Sequence, residues 1–181
     1  MSGISIRKAS PADAAGIAHV QVAGWRFAYH GIMDADYLAN LDEEEKTFQW
    51  EKRLSSDQAA AWIAIQDDHV VGFCRAGPLR KTKALEEAAL DFSTTGELYA
   101  IYVLEEFQRQ GLGQHFLRQV KLFFNKEDYT QFIVWALSEN KRALKFYQNQ
   151  GGVFLLEEDH PIAGNTYPES CLVFRDLNLE E

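Results

Sequence analysis

The sequence is poor in cysteine, proline and basic residues, and each shortage excludes a class of protein. Among 181 residues there are two cysteines, four prolines and 18 lysines or arginines, against 27 aspartates and glutamates. The formal net charge of −9 argues against general nucleic-acid binding and against a polybasic membrane contact, since both need a basic surface. Any anionic ligand must therefore be met by a few local cations or by backbone amides.

The sequence also contains no pattern typical of a disulfide, a metal site or a membrane-spanning segment. Cys74 and Cys171 lie far apart and match no zinc or redox spacing, so we expect two reduced, buried thiols in a cytoplasmic protein. The five histidines form no clustered ligand set, and we predict no metal site. The N-terminal residues do not resemble a signal peptide, and no apolar run approaches the ~18 residues of a membrane helix.

The remaining composition and the residue patterns predict one globular α/β domain. Apolar residues make up 46% of the chain and aromatic residues 13%, which excludes intrinsic disorder. No repeat or linker divides the chain, so we predict a single domain over residues 1–181. Strand and helix patterns alternate, with hairpins on either side, which predicts a mixed, mostly antiparallel sheet of about seven strands with helices on both faces. Residues 79–95 fit either a short helix or a surface excursion.

The strongest chemical signal is the loop Gln108-Arg-Gln-Gly-Leu-Gly113, between a predicted strand and a predicted helix. Glycines let the backbone turn so that its amides point into the helix N-terminus, where negative charge is favoured. A Walker A loop would continue with lysine and serine or threonine, but Gln114 and His115 follow; a Rossmann loop would have glycine where Phe116 stands. Taken alone, the loop is equally an ordinary tight turn before a helix.

A second segment changes this balance. Gln108-x-x-Gly111-x-Gly113, followed by a strand and then by Asn140-x-x-Ala143-x-x-Phe146-Tyr147, resembles the GNAT superfamily of acetyl-CoA-dependent N-acetyltransferases. The segments Trp25–Ile32 and Ile162–Glu169 resemble a bacterial branch of that superfamily. The chain departs from the family pattern at Glu105, where proline is frequent, and after Gly151, where an aromatic residue is usual.

The resemblance implies the GNAT fold, with splayed central strands, and acetyl-CoA as the cofactor. One splayed strand would pair its backbone with the pantetheine arm, the loop amides and Arg109 would hold the pyrophosphate, and Asn140 would reach the arm. The cofactor-binding residues implied in this way are Ile101, Tyr102, Val103, Gln108, Arg109, Gln110, Gly111, Leu112, Gly113, Gln114, Asn140 and Phe146.

Acetyl transfer to a primary amine also needs a general acid and a general base. An alkylammonium, with a pKa of ~10.4, must lose a proton before it attacks, and the departing thiolate gains one. The resemblance implies Tyr147 as the acid, although this residue also fits a core tyrosine. It implies Glu97 as the base, with a pKa raised by an expected apolar wall; the alternative is an exposed strand-end glutamate with an ordered water as the base.

The predicted acceptor is a small-molecule amine. A cationic amine is favoured, because the net charge of the protein is negative and because aromatic faces attract cations. The candidate contacts are Trp25, Tyr29, Tyr37 and Tyr99, which also fit a hydrophobic core. A non-catalytic acyl-CoA sensor and a protein N-terminal or lysine acetyltransferase stay open as alternatives. A homodimer is expected through the C-terminal strand that carries Leu172, Val173 and Phe174.

Overall fold

A computed structural model describes residues 3–55 and 58–178 of the chain. Six α-helices and seven β-strands alternate much as the sequence predicts. The helices are α1 (Ala14–Ala28), α2 (Ala35–Ala39), α3 (Glu43–Leu54), α4 (Lys83–Glu87), α5 (Leu112–Lys126) and α6 (Lys141–Asn149). The strands are β1 (Ser5–Lys8), β2 (Ala60–Gln66), β3 (His69–Pro78), β4 (Thr95–Val103), β5 (Gln131–Leu137), β6 (Val153–Ile162) and β7 (Asn165–Phe174).

The seven strands form one sheet in the order β1-β2-β3-β4-β5-β7-β6. The pairs β1–β2, β2–β3, β5–β7 and β6–β7 are antiparallel, whereas β4 and β5 run parallel. A parallel pair needs a crossover connection, and the segment containing α5 supplies it between β4 and β5. The predicted α/β class, with a mostly antiparallel sheet of about seven strands, is confirmed.

The parallel ladder between β4 and β5 is short. It joins Thr95–Leu98 to Gln131–Val134 and ends at the pair Leu98 and Val134. Both strands continue beyond that pair, β4 to Val103 and β5 to Leu137. A ladder that ends while its strands continue is what the predicted splay of the central strands requires.

The described residues fall into two compact units. The N-terminal unit comprises residues up to Ala76 together with Ala100–Gln119, and the C-terminal unit comprises Gly77–Tyr99 together with residues from Val120 onward. The single domain that we predicted over residues 1–181 extends to termini outside the described residues, and it stays a prediction.

In the N-terminal unit, the start of the first helix is fixed by polar contacts. The Asp13 carboxylate accepts from both the backbone amide and the hydroxyl of Ser10, at 2.8 and 2.9 Å, and it pairs with Arg7 at 2.7 Å. Pro11 begins the 3-10 turn that leads into α1, as its fixed φ favours. The helix then packs Ile17 and Val20 into a core cluster that also contains Trp50 and Phe73.

In the C-terminal unit, each face of the strands is covered by a different segment. Leu85 of α4 belongs to a buried cluster with Ile133 and Val173, so residues 79–92 form a strap that lies against this face and contains the short helix left open by the sequence. On the other face, the ring of Phe124 from α5 stacks on Phe132 at 5.3 Å between centroids, and Tyr147 of α6 meets Phe174 edge-on at 6.4 Å.

The final strand does not expose the residues on which the expected dimer was based. The residues expected at the interface are buried inside the sheet: Leu172 and Phe174 are each 1% exposed and Val173 is 0% exposed. The exposed apolar pair in this region is instead Val153 and Phe154, at 58% and 56%, on the terminal strand β6. None of the described helices is both long enough and apolar enough to cross a membrane.

Candidate active site

The Gly-x-Gly loop lies in the N-terminal unit, between a 3-10 turn after β4 and the first turn of α5. Two residues turn the backbone in the left-handed region, Arg109 at φ 62° and Gly111 at φ 83°. The side-chain amide of Gln108 donates to the carbonyl of Val103 at 2.8 Å and ties the loop to the strand. The end of the predicted strand, the turn and the helix start therefore lie within one unit.

The geometry of this loop fits an anionic group. The first amides of a helix have no partner within the helix, and its dipole places partial positive charge there. A Cβ built at Gly111 would meet nothing closer than His115 Cδ2, at 3.8 Å. The space beside the loop is thus open, and Arg109 is exposed next to it.

The phenol of Tyr102, on the β4 edge predicted to bind the cofactor, contacts residues of the N-terminal unit. The Oη atoms of Tyr102 and Tyr29 lie 2.7 Å apart, and the Tyr102 ring lies 5.8 Å from the ring of Phe73. A Cβ on Gly24 of α1 would sit 2.7 Å from Tyr102 Cδ1, so glycine at this position permits the close approach of helix and ring. The side chain of Tyr102 is therefore engaged with α1, next to the half-buried backbone of Ile101 and Val103.

Three of the four predicted acceptor residues come together in the N-terminal unit. The ring of Trp25 meets Tyr29 edge-on at 5.4 Å and Tyr37 at 6.4 Å. Trp25 Nε1 is buried and has no hydrogen-bond partner among the described residues. Tyr99 belongs to the C-terminal unit, where it donates a hydrogen bond to the Pro78 carbonyl.

The other residues of the second motif lie at the start of α6 and along it. Asn140 caps the helix, since its side-chain carbonyl accepts from the amide of Ala143 at 3.1 Å. This cap uses the side-chain oxygen of Asn140. Tyr147 is 5% exposed and lies between the rings of Phe146 and Phe174.

Glu97 is buried and paired with a cation. It is 1% exposed, and its carboxylate forms an ion pair with the side chain of Arg80. Oε2 accepts from the backbone amide of Arg80 at 2.9 Å and from Nε at 3.1 Å; Oε1 accepts from Nε at 3.0 Å and also from Nη2. Both carboxylate oxygens are thus occupied by a single residue.

Arg80 is a charged residue of this region that sequence reasoning missed. Its side chain is 65% exposed, and its guanidinium lies 5.0 Å above the ring of Tyr99. Burial alone would lower the pKa of Arg80, but its hydrogen bonds to Glu97 hold that pKa above the usual value. Arg80 lies in the segment 79–95 that the sequence left open, so no pattern singled it out.

A second missed residue is Glu169, a half-buried carboxylate on β7. Burial raises its pKa; His160 and Arg80 act in the opposite direction, and Glu97 and Glu158 add to the rise. Glu169 ends the segment Ile162–Glu169, which resembles a family branch, so a signal for it was present in the sequence.

The cysteines are buried thiols, as predicted. Burial raises the pKa of Cys171 to about 12, with a further contribution from Glu97 and Glu158, and it also raises the pKa of Cys74. At neutral pH both remain protonated, so neither is a nucleophile. The described residues contain no group of three or more histidines, cysteines or carboxylates that could hold a metal ion.

Comparisons with known proteins identify the family to which a chain with this fold and this loop belongs. The sequence matches the Acetyltransferase (GNAT) family over residues 25–152. The chain belongs to this family, and the predicted acetyltransferase is confirmed.

One relative and two solved structures show how far the likeness extends. The chain is 34% identical to an uncharacterized N-acetyltransferase, YuaI of Bacillus subtilis, with 97% of this chain and 95% of that protein covered. In fold it is similar to YncA of Salmonella typhimurium, solved with acetyl-CoA, at a TM-score of 0.70 and 17% identity, covering 99% and 97% of the two chains. It is also similar to the PaiA N-acetyltransferase of Thermoplasma acidophilum, solved with coenzyme A, at a TM-score of 0.66 and 17% identity, covering 93% and 98%.

Proposed function

We propose that this acetyltransferase moves the acetyl group of acetyl-CoA onto the primary amine of a small-molecule acceptor. The observation that carries the proposal is the open, left-handed loop at the start of α5, in a chain whose family match includes that loop. Two proteins of similar fold were solved with coenzyme A or acetyl-CoA, which supports the same cofactor here.

In the N-terminal unit, the residues proposed to hold the cofactor do so mainly through backbone. The amides of Arg109–Gln114 and the Arg109 side chain would neutralise the pyrophosphate, because the negative net charge of the protein supplies no general attraction for it. The backbone of Ile101–Val103 would pair with the amides of the pantetheine arm as an added strand. When bound, acetyl-CoA supplies an acetyl group activated as a thioester.

In the C-terminal unit, Tyr147 is the proposed general acid. Its Oη would hold the proton that the leaving sulfur takes, and a phenol with a pKa of ~10 is a suitable donor to a thiolate of pKa ~8.5. Tyr147 is nearly buried, which limits the contact of its side chain with water. The Asn140 amide and the Phe146 ring are proposed cofactor contacts, as the family resemblance implies.

The acceptor ammonium must also give a proton to a base. Glu97 is the base that the resemblance implies, but the hydrogen bonds from Arg80 engage both of its oxygens. An ordered water and a second carboxylate are therefore also candidates for the general base. For the acceptor itself, the Trp25, Tyr29 and Tyr37 rings provide faces that attract a cation, and Trp25 Nε1 provides an unused donor.

The experiment that tests this function measures thiol release from acetyl-CoA by the purified protein in the presence of polyamines, amino acids, aminoglycosides and peptides. Release with a small amine, together with a product heavier by one acetyl group, is the expected result. Calorimetric binding of acetyl-CoA without release in any reaction would support a sensor instead. Release only with peptides would support a protein acetyltransferase.

The oligomeric state is a separate proposal. The expected homodimer stays a prediction, although the residues on which it was based are buried within the subunit. Light scattering at micromolar concentration distinguishes a dimer from a monomer of 20.6 kDa.

A further inference from the structure

Glu169 is an unpaired carboxylate on the sheet of the C-terminal unit. It is half-buried, and among the residues that the structure describes no side chain or backbone amide forms a hydrogen bond or an ion pair with it. Burying a charge without a partner is costly, and proteins generally avoid it unless the charge has a use. The residue directly opposite on β6 increases the cost, because it is another carboxylate, Glu158.

The register of the strands places Glu169 on the same face as Glu97. Glu97 lies opposite Ile133, and Ile133 lies opposite Val173. Side chains alternate along a strand, so Val173, Cys171 and Glu169 share that face of β7. The charge of Arg80 acts on Glu169 as well as on Glu97, which agrees with this placement.

We propose that Glu169 is the general base that takes the proton of the acceptor ammonium. The inference rests on the acetyl transfer proposed above and names the residue that prepares the amine for it. Glu169 has free oxygens and is partly exposed, whereas Glu97 is 1% exposed and has both oxygens bound by Arg80. Glu97 is then a fixed anion that orients Arg80, which is a positioning role.

The proton transfer balances without a further reactant. The ammonium form of the acceptor gives one proton to the Glu169 carboxylate, which leaves a neutral amine and a neutral carboxyl group. The whole reaction converts one ammonium and one thioester into an amide, a thiol and one free proton. Glu169 returns that proton to solvent through its exposed side, and the carboxylate is restored for the next turnover.

The surroundings of Glu169 tune it for this task. Burial, Glu97 and Glu158 raise its pKa, and the opposing effects of His160 and Arg80 do not cancel that rise. Tyr167 lies two residues before Glu169 on β7, and its cross-strand neighbour on β6 is His160. A base works best when its pKa approaches the working pH, and a raised glutamate pKa moves in that direction.

The test compares Glu169→Gln with the matched variant Glu158→Gln, using whichever probe amine from the panel above is acetylated by the wild-type protein. Glu169→Gln should lower kcat by roughly 10²–10⁴-fold near neutral pH, and its rate should recover as pH rises and supplies free amine. Glu158→Gln should keep kcat within about threefold. The acid limb of the pH–rate profile of Glu158→Gln should move to lower pH, because removing the negative charge of Glu158 lowers the pKa of Glu169.

The outcomes separate this inference from the proposed function. If the wild type acetylates the amine and Glu169→Gln keeps the wild-type kcat and acid limb, Glu169 is not the base, and the transfer still stands. If no amine is acetylated, carbon-13 carboxyl NMR of the wild type and of Glu169→Gln still assigns the titration of Glu169. A carboxyl titrating above the ordinary glutamate range supports the inference, and one titrating within that range overturns it.

Discussion

Arg80 and Glu97 form an ion pair whose two members differ in exposure: the arginine side chain is 65% exposed and the glutamate 1%. The exposed member can be removed without creating a cavity, but the buried carboxylate then keeps only the backbone amide of residue 80. A buried group that loses its partners costs ~1–3 kcal/mol, and more when it is charged. Removing Arg80 should therefore cost more stability than removing one member of a surface salt bridge.

We expect Arg80→Gln to lower the free energy of unfolding by about 1–3 kcal/mol, measured by urea unfolding at pH 7. The double variant Arg80→Gln/Glu97→Gln should lose less than the sum of the two single variants, because it leaves no unpaired charge. Lys83→Gln is the control, since the pair Lys83–Glu87 is 87% and 70% exposed and such pairs contribute ~0–1 kcal/mol. Equal losses for Arg80→Gln and Lys83→Gln would contradict the expectation.

A second prediction concerns pH and the start of α1. Hydrogen bonds from Arg7 lower the pKa of Asp13 to about 2, with further help from Ser10. A carboxylate with a depressed folded pKa adds stability above its unfolded pKa of ~3.9, and that stability is lost as pH falls through the folded pKa. Asp13→Asn should therefore be less stable than the wild type at pH 7, by about 1 kcal/mol after allowance for solvent screening. The difference should shrink between pH 4 and pH 2, and a difference independent of pH would argue against the pair.

A third prediction tests the cofactor loop. Gly111→Val should weaken coenzyme A binding tenfold or more, because a β-branched residue is strained at φ 83° and narrows the space beside the loop amides. Gly164→Val is a matched control, since Gly164 has φ 81° and nothing within 4 Å of its would-be Cβ, in the β6–β7 turn. Calorimetry should show ordinary affinity for the control. Equal weakening by both variants would mean that strain, rather than the loop, is responsible.

The sequence predicted most of the fold because its local signals agree with the tertiary structure. Ser10, Pro11 and Asp13 mark the beginning of the first helical segment, and the loop Gln108–Gly113 lies between a strand and a helix as predicted. Contacts distant in sequence could not be predicted. The pairing of Arg80 with Glu97 depends on where the strap over residues 79–92 crosses the sheet, and no periodicity encodes that crossing.

The candidate site also has a part that local sequence predicts and a part that depends on contacts distant in sequence. The Gly-x-Gly loop is local, so its geometry follows from Gly111 and from the helix that it begins. The ion pair of Glu97 with Arg80 joins β4 to the strap over residues 79–92, so no local pattern could predict it. Glu169 was visible in the sequence only as the end of a motif, because its lack of partners is a property of the folded sheet.

The last prediction concerns Tyr147 as the general acid. Tyr147→Phe should lower kcat by roughly 10²–10⁴-fold and leave coenzyme A affinity nearly unchanged, because the ring keeps its contacts with Phe146 and Phe174. Raising the pH should not restore the rate of this variant, since free amine does not protonate a leaving thiolate. The rate of the base variant, Glu169→Gln, should recover. Tyr129→Phe is the control, because Tyr129 also packs edge-on against a core phenylalanine, Phe124.

A pH–rate profile for wild type, Tyr147→Phe and Tyr129→Phe, with calorimetry for each, makes this comparison. If Tyr147→Phe recovers with pH, or binds coenzyme A as poorly as it turns over, Tyr147 positions the cofactor instead of supplying a proton. A rate defect that persists at every pH, with affinity intact, is explained by the loss of the phenolic proton, because the hydroxyl is the only group that the substitution removes.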